Sequence, residues 1–147
     1  MSLSTKSDYG LRALVELAHH ANDGRPTRST EIAARQHIPE SYLEQLLVVL
    51  RRAGFIRSIR GRRGGHLLAL DPEHLKVNEV VEALDGPIMP ISCLDEASAC
   101  SRTGGCIQRP IWEDVQQAII NVLAKVSIAD LAARDRAAQQ GGGRYAI

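Results

Sequence analysis

The sequence of 147 residues predicts a mainly α-helical fold that contains one small β-hairpin. Three observations support this prediction. Apolar residues recur at the three- and four-residue spacing of helices through most of the chain. The spacing changes to that of strands in one stretch rich in glycine and arginine. Only five residues are aromatic, so leucine, isoleucine, valine and alanine must form the core, and this composition favours helices.

Three predicted helices open the chain. The first spans 7–21, where a turn at 22–24 ends it. The second spans 31–36, and Ser29 or Thr30 is expected to cap it. Pro39 suits the start of the third helix, which spans 40–53 and stops at Gly54. The apolar stripes of the three helices are Leu11, Leu14, Val15 and Ala18, then Ile32 and Ala33, then Leu43, Leu46, Leu47 and Leu50.

A β-hairpin with a cationic tip is predicted after the third helix. Strands are expected over 55–60 and 66–70, and the five residues between them contain three glycines and two arginines. Two helices joined by a tight turn and followed by a hairpin are typical of a winged helix-turn-helix domain, predicted over residues 1–75. The apolar pattern by itself also fits a helical hairpin packed on a small sheet, without any ligand.

The rest of the chain is predicted to comprise three parts. Residues 76–109 form a connecting helix, closed by Gly86, and an irregular segment with all three cysteines. Residues 110–135 form a long helix and a short terminal helix, which Ser127 and Asp130 open as a capping box. The long helix carries more apolar surface than the N-terminal winged helix-turn-helix domain, called the head below, can cover. The excess indicates a homodimer. Residues 136–147 include three consecutive glycines and are predicted to be a flexible tail.

The charge is distributed unevenly along the chain. The formal net charge is +1, yet residues 51–70 hold six arginines and no acid, which leaves twelve basic and seventeen acidic residues elsewhere. A basic patch on an otherwise acidic protein is typical of a site for a polyanion. The sequence shows no signal peptide and no apolar stretch of about 20 residues that could span a bilayer. A cytoplasmic protein without a membrane partner is therefore expected.

The predicted polyanion is double-stranded DNA. Hydroxyl groups on the third helix can bind phosphates, glutamine can pair with adenine, and glutamate can accept a hydrogen bond from cytosine. Arginines on a thin hairpin can enter a narrow minor groove. The candidate contacts are Ser41, Tyr42, Glu44 and Gln45 on the outward face of the third helix, and Arg57, Arg60, Arg62 and Arg63 on the hairpin.

Enzymatic function is not expected. A glycine-rich loop can also cradle a nucleotide phosphate, but residues 61–65 match neither the Walker pattern nor the dinucleotide fingerprint. The sequence shows no catalytic triad and no paired acids that would support a reaction.

The three cysteines predict a metal or redox site. Cys93, Cys100 and Cys106 lie on one irregular segment, where they can converge on one centre. Thiolates suit zinc or an iron–sulfur cluster, but neither gap has the two to four residues usual for a zinc pair. A cluster usually needs four ligands, so the fourth must come from elsewhere in the protein or from a small molecule. Free surface thiols and a switchable disulfide are the alternatives.

Several short motifs resemble the Rrf2 family of bacterial transcription regulators. These motifs are Lys6–Leu11, Glu40–Leu46, Arg57–Gly61 with Gly64 and Gly65, Leu84–Ile88, and the three-cysteine segment before Ile111 and Trp112. The resemblance implies a homodimer that crosses through its long helix and reads an imperfect palindrome. It implies that Ser41, Tyr42, Glu44, Gln45 and Arg60 lie at the DNA. It also implies that Cys93, Cys100 and Cys106 ligate a 2Fe–2S or 4Fe–4S cluster.

The fourth cluster ligand differs among members of the family. Some members have a histidine three residues after the third cysteine, where this chain has Arg109, which cannot ligate iron. Others use an aspartate near the start of the first helix, donated by the partner subunit. Asp8 occupies that place and is the candidate fourth ligand, although an acid there is also favoured by the helix dipole.

The leading hypothesis is a repressor whose iron–sulfur cluster senses iron, redox or nitric oxide status. The alternatives are a cluster-free regulator controlled by cysteine oxidation or a protein partner, and, more remotely, an iron–sulfur carrier.

Overall fold

The structure is a computed structural model, which describes residues 3–91, 94 and 106–141. Within them, six helices and one two-stranded antiparallel sheet follow each other along the chain, which confirms the predicted fold class. The elements are α1 (Thr5–His19), α2 (Ser29–Gln36), α3 (Glu40–Arg52), β1 (Ile56–Ile59), β2 (Gly65–Leu68), α4 (Val77–Asp85), α5 (Arg109–Ala124) and α6 (Ile128–Gln140).

The first helix begins two residues earlier than predicted and ends two residues earlier. Its N-cap is Ser4, whose hydroxyl accepts a hydrogen bond from the backbone N–H of Lys6 at 3.1 Å. Such a cap satisfies one of the backbone donors that a helix start leaves unpaired. The predicted apolar stripe is confirmed in its main part, because Leu14 is fully buried and Val15 and Ala18 lie in the core.

The turn between α2 and α3 depends on one residue in the left-handed region. His37 ends α2 with φ 54° and ψ 44°, and α3 begins three residues later, as predicted. The expected cap of α2 is wrong, because Arg28 is the N-cap residue and makes no capping hydrogen bond with its side chain. Helix α3 presents the four leucines of its predicted stripe to the core, where they fix its orientation against α1.

The hairpin is the wing of the winged helix-turn-helix. β1 and β2 pair antiparallel with Ile56 opposite Leu68 and Ile59 opposite Gly65. Thr27, which precedes α2, extends this sheet by an isolated bridge to His66, with N···O distances of 3.0 and 2.8 Å. The wing is therefore hydrogen-bonded to the start of the helix-turn-helix as well as to itself.

The C-terminal half packs back on the head. Ser127 and Asp130 form the predicted capping box of α6. The prediction of a short terminal helix is wrong, because α6 continues to Gln140 and residues 136–140 are helical rather than part of a tail. Ile128 and Ala132 are buried in the same core cluster as α1 and α3, so the core extends beyond the boundary predicted at residue 75. None of the described helices is both long and apolar enough to cross a membrane.

Asp85 joins the start of α1 to the end of α4. Its carboxylate accepts hydrogen bonds from the hydroxyls of Ser4 and Ser7 and from the backbone N–H of Ser4 at 3.2 Å. Burial acts to raise the pKa of Asp85, but these hydrogen bonds outweigh it and hold the pKa below the ordinary value. The stability that this arrangement contributes is present above about pH 3.8, the ordinary value, and is lost as the pH falls through the lower value of the folded protein.

Ser7→Ala is expected to lower the free energy of unfolding by about 1–2 kcal/mol at pH 7, because it removes a part-buried hydrogen bond from the buried Ser7 hydroxyl to a carboxylate. Urea unfolding at pH 7 and at pH 3 measures this loss, which should shrink at the lower pH. Thr5→Ala, an exposed change in the same turn, is the control. Equal stability of the Ser7→Ala variant and the control at pH 7 would contradict the assignment.

Candidate nucleic-acid interface and cysteine segment

The outward face of α3 carries three of its four predicted DNA contacts. Ser41, Glu44 and Gln45 are exposed, whereas Leu43 and Leu46 on the opposite face are buried. This division follows from the helical period, which places residues three and four apart on one face. The exposed face therefore offers a hydroxyl, a carboxylate and an amide on one rigid element.

Tyr42 does not lie fully on that outward face as the sequence predicts. It is half-buried, and its ring meets the ring of Tyr9 edge-to-face at a centroid distance of 5.7 Å and an interplanar angle of 79°. Such aromatic pairs are attractive beyond the area they bury. Tyr42 thus ties the start of α3 to α1, and only part of its side chain remains accessible.

The wing tip and the start of α2 form one basic surface. Arg60, Arg62 and Arg63 are exposed, as predicted. Arg28, which the sequence did not single out, donates a hydrogen bond from its guanidinium to the backbone carbonyl of Arg62. The sequence did offer one signal for Arg28, because it is a basic residue just before the expected cap of the second helix. The groove between them is lined by Arg28, Ser29, Thr30, Gly61, Gly64, Gly65 and His66.

A chain of polar side chains connects the wing to α3. Arg51 of α3 donates to the hydroxyl of Ser58 at 3.5 Å, and Ser58 lies 3.0 Å from Nδ1 of His66. Burial lowers the pKa of His66, and Arg51 lowers it further, while Glu44 acts in the opposite direction. A neutral His66 at pH 7 can therefore bridge the two strands without adding a charge.

Arg57 lies apart from the other predicted DNA contacts. Neighbouring residues of a strand point to opposite faces, so Arg57 and its cross-strand partner Leu67 lie on the face away from Ser58 and His66. There Arg57 lines a cleft with residues of α1 and α6. The sequence grouped it with the wing arginines because the strand period does not tell which face is outward.

Gly65 allows the wing to approach α2. Its φ is 148°, and a Cβ built there would lie 2.6 Å from the backbone oxygen of Thr27 and 3.0 Å from the backbone nitrogen of Arg28. Both atoms belong to rigid backbone, so only glycine permits this contact.

Gly65→Ala is therefore expected to destabilise the protein by roughly 1–3 kcal/mol and to displace the wing. The control is Gly61→Ala, since Gly61 also has a positive φ of 110° but an added Cβ meets nothing within 4 Å. Urea midpoints and DNA affinity of the two variants test this. The prediction fails if Gly65→Ala and Gly61→Ala lose the same stability.

The candidate cluster ligands are only partly described. Cys93 and Cys100 lie outside the described residues, whereas Cys106 is a half-exposed free thiol three residues before α5. Asp8 is exposed, and Arg12 holds both of its carboxylate oxygens at 3.0 and 2.9 Å. Arg12 also donates to the backbone carbonyl of Gln36 at the end of α2. In the described part of the chain, no group of three potential metal ligands comes together.

Helix α5 has an uncovered apolar stripe. Ile111, Val115 and Val122 are exposed by 60%, 36% and 63%, and their spacing places them on one face. Three partly buried residues of the same helix, Ile119, Ile120 and Leu123, pack against the cluster of Val77, Val81 and Ile88. The helix thus packs on α4 through these three residues and leaves the neighbouring stripe open.

The comparisons with known proteins agree with this arrangement. The sequence profile of the Rrf2 family, described as an iron-dependent transcriptional regulator, matches residues 3–134. The chain belongs to the Rrf2 family. This match confirms the family that the sequence motifs indicated. The chain is a transcriptional regulator, and its relatives are DNA-binding proteins rather than enzymes. Members of this family bind DNA and are typically dimeric.

Three relatives illustrate the range within the Rrf2 family. The protein rrf2 of Nitratidesulfovibrio vulgaris is 40% identical over 131 residues, which cover 89% of this chain and 87% of that protein. The structure of CymR, the global cysteine regulator of B. subtilis, has a TM-score of 0.76 at 34% identity and covers 91% of this chain and 98% of its own. T. potens IscR also has a TM-score of 0.76 at 34% identity, covering 95% and 91%.

Proposed function

We propose that this Rrf2 regulator is a homodimeric repressor that binds an imperfect palindrome in double-stranded DNA and whose affinity is gated by an iron–sulfur cluster. The observation that carries the proposal is the continuous surface formed by α3, the start of α2 and the wing. It combines groups that can read base edges with groups that can bind phosphates. The three-cysteine segment, which leads directly into α5, supports the gating.

In the proposed complex, α3, the wing and the start of α2 each contact a different part of the DNA. Glu44 and Gln45 of α3 meet base edges in the major groove, and Ser41 meets a phosphate. Arg60 enters the minor groove, where the potential is most negative. Arg62 and Arg63 at the wing tip bind phosphates. The start of α2, where no side chain caps the first backbone N–H groups, also binds phosphate. Tyr42 contributes through its accessible part.

The proposed dimer forms through α5. Its exposed stripe of Ile111, Val115 and Val122 has the composition of a helix–helix interface. Two heads held at a fixed separation read two half-sites of one duplex, and their joint affinity depends on that separation. A change in the segment before α5 can therefore alter DNA binding without touching α3.

The proposed ligands are chemically suited to an iron–sulfur cluster of either the 2Fe–2S or the 4Fe–4S type. Thiolates are the usual ligands of iron–sulfur clusters, and Cys106 is accessible and not disulfide-bonded. With Cys93 and Cys100, it supplies three sulfur ligands, and Asp8 is the proposed fourth. A bound cluster would supply iron that reacts with oxidants and nitric oxide. For Asp8 to serve, its ion pair with Arg12 must open.

Purification without oxygen tests the cluster. Visible absorption and an assay of iron and sulfide should show both elements in comparable amounts, and Cys106→Ala should lose the absorption. Asp8→Asn should weaken cluster retention, whereas Asp23→Asn, an exposed acid in the turn after α1, should not. A colourless protein that takes up no iron on reconstitution would overturn the cluster.

Gating is a separate measurement on the same protein. Operator affinity of the cluster-loaded and cluster-free forms is compared at one salt concentration, because phosphate contacts make affinity salt-dependent. The proposal expects the two forms to differ. Equal affinities would leave a DNA-binding regulator whose cluster does not control it.

A cluster-free regulator is the second candidate. Arg109 favours it, because it stands at the place where some members have a histidine. The likeness to CymR does not add to this, since the likeness to T. potens IscR is equal at a TM-score of 0.76. Control would then come from oxidation of the cysteines or from a protein partner. This candidate expects an iron-free protein whose operator affinity changes with peroxide and is restored by a thiol reductant.

A further inference from the structure

A second cleft lies on the face of the hairpin that points away from Ser58 and His66. Its volume is about 550 Å³, and it is lined by the end of α1, both strands, loop 71–73 and α6. Its apolar lining includes Ala18, Leu67 and Ala132, which are buried, and Leu70, which is 45% exposed. A cleft of this size accommodates a small organic molecule.

Four charged side chains line this cleft, two of each sign. Arg57 comes from β1 and Arg136 from α6, whereas Asp71 and Glu73 come from the loop after β2. Within the described part of the chain, none of the four forms an ion pair. Asp71 uses one carboxylate oxygen to accept the backbone N–H of Glu73 at 2.9 Å, which fixes the loop. Opposite charges thus face one cleft without neutralising each other.

We propose that this cleft binds a small zwitterion with an apolar side chain, of the α-amino acid type. Guanidinium groups bind carboxylates through paired, charge-assisted hydrogen bonds, so Arg57 and Arg136 take the carboxylate. Glu73 and the free oxygen of Asp71 take the ammonium group. The apolar side chain packs on Leu70, which is 45% exposed in the cleft lining, and this contact removes it from water. A simple anion would meet the two acids, and a simple cation would meet the two arginines.

The site assigns Arg57 a role separate from DNA contact. β1 and β2 continue directly into the wing turn, and Arg57 of β1 and Leu67 of β2 line the cleft. A ligand there stiffens the base of the wing, which makes the zwitterion an effector of DNA affinity. This input is distinct from the cysteine segment, which acts through α5.

Isothermal titration calorimetry on the full, iron-free chain tests the site with each of the twenty common amino acids at millimolar concentration. At least one apolar amino acid should bind saturably. Arg57→Gln and Glu73→Gln should each weaken that binding by about tenfold or more, the loss expected for one charged hydrogen bond. Arg134→Gln, which removes an exposed arginine of α6 outside the cleft, should bind as the unchanged protein does. Circular dichroism confirms that each variant is folded.

Two analogues of the best ligand separate a zwitterion site from simpler ones. The acid that lacks the amino group and the amine that lacks the carboxyl group should both bind more weakly than the amino acid. The proposal is overturned if no amino acid binds, if binding survives both substitutions, or if the acid alone binds as tightly. The measurement needs neither DNA nor iron, so its failure is distinguishable from a failure of the proposed function.

Discussion

Val122→Arg is expected to convert the protein to a monomer and to abolish tight operator binding. Val122 is 63% exposed on the uncovered stripe of α5. In the proposed dimer this residue is buried, and an unpaired buried charge costs roughly 3–5 kcal/mol, incurred once by each subunit. Loss of the second head removes the gain from binding two half-sites at once, which is about 100-fold or more.

Sedimentation velocity measures the first effect, and fluorescence anisotropy with a palindromic duplex measures the second. Asn121→Arg is the matched control, because this substitution adds the same charge one position away. Asn121 is exposed, and its side chain accepts a hydrogen bond from Gln117 on the polar side of α5. The control should remain dimeric. A Val122→Arg protein that sediments as a dimer and binds DNA normally would place the dimer interface elsewhere.

The double substitution Arg62→Gln and Arg63→Gln is expected to weaken binding to every DNA sequence about equally. Both side chains are exposed at the wing tip beside Arg28. Each phosphate contact contributes about one unit to the slope of the logarithm of affinity against the logarithm of salt concentration. The dimer has two wings, so the slope should become shallower by up to about four units.

Anisotropy titrations at several salt concentrations give this slope for specific and nonspecific duplexes. Arg134→Gln serves as the control, since it removes an exposed arginine of α6 that does not belong to the wing. Arg60→Ala should behave differently from the double variant, because a contact inside the minor groove affects sequences with a narrow groove most. An unchanged slope in the double variant would exclude the wing tip from the phosphate contacts.

Much of the head was predictable because its signals are local. The leucine spacing of α3 and the glycines of the wing turn depend only on neighbours in the chain, and both elements form where the sequence indicated. The capping box of Ser127 and Asp130 is local as well. Elements of this kind follow from backbone period and turn chemistry.

The interface itself was less predictable because its contacts join distant parts of the chain. Arg28 donates a hydrogen bond to the carbonyl of Arg62, which lies 34 residues later in the chain. Thr27 likewise exchanges backbone hydrogen bonds with the distant His66. Tyr42 turned inward because Tyr9 offers a ring at the right place. No spacing rule links such residues, so the start of α2 was not recognised as part of the basic surface.

By itself, the amino-acid sequence determined the helical composition, the helix-turn-helix with its basic wing, the family motifs and the clustering of the three cysteines in one segment. Only the tertiary structure decided which face each side chain occupies. It placed Arg57 in a cleft with residues of α6, paired Asp8 with Arg12, and left one stripe of α5 uncovered. The physical reason is that a local pattern sets the period of an element, whereas packing against the rest of the core sets its rotation and its neighbours.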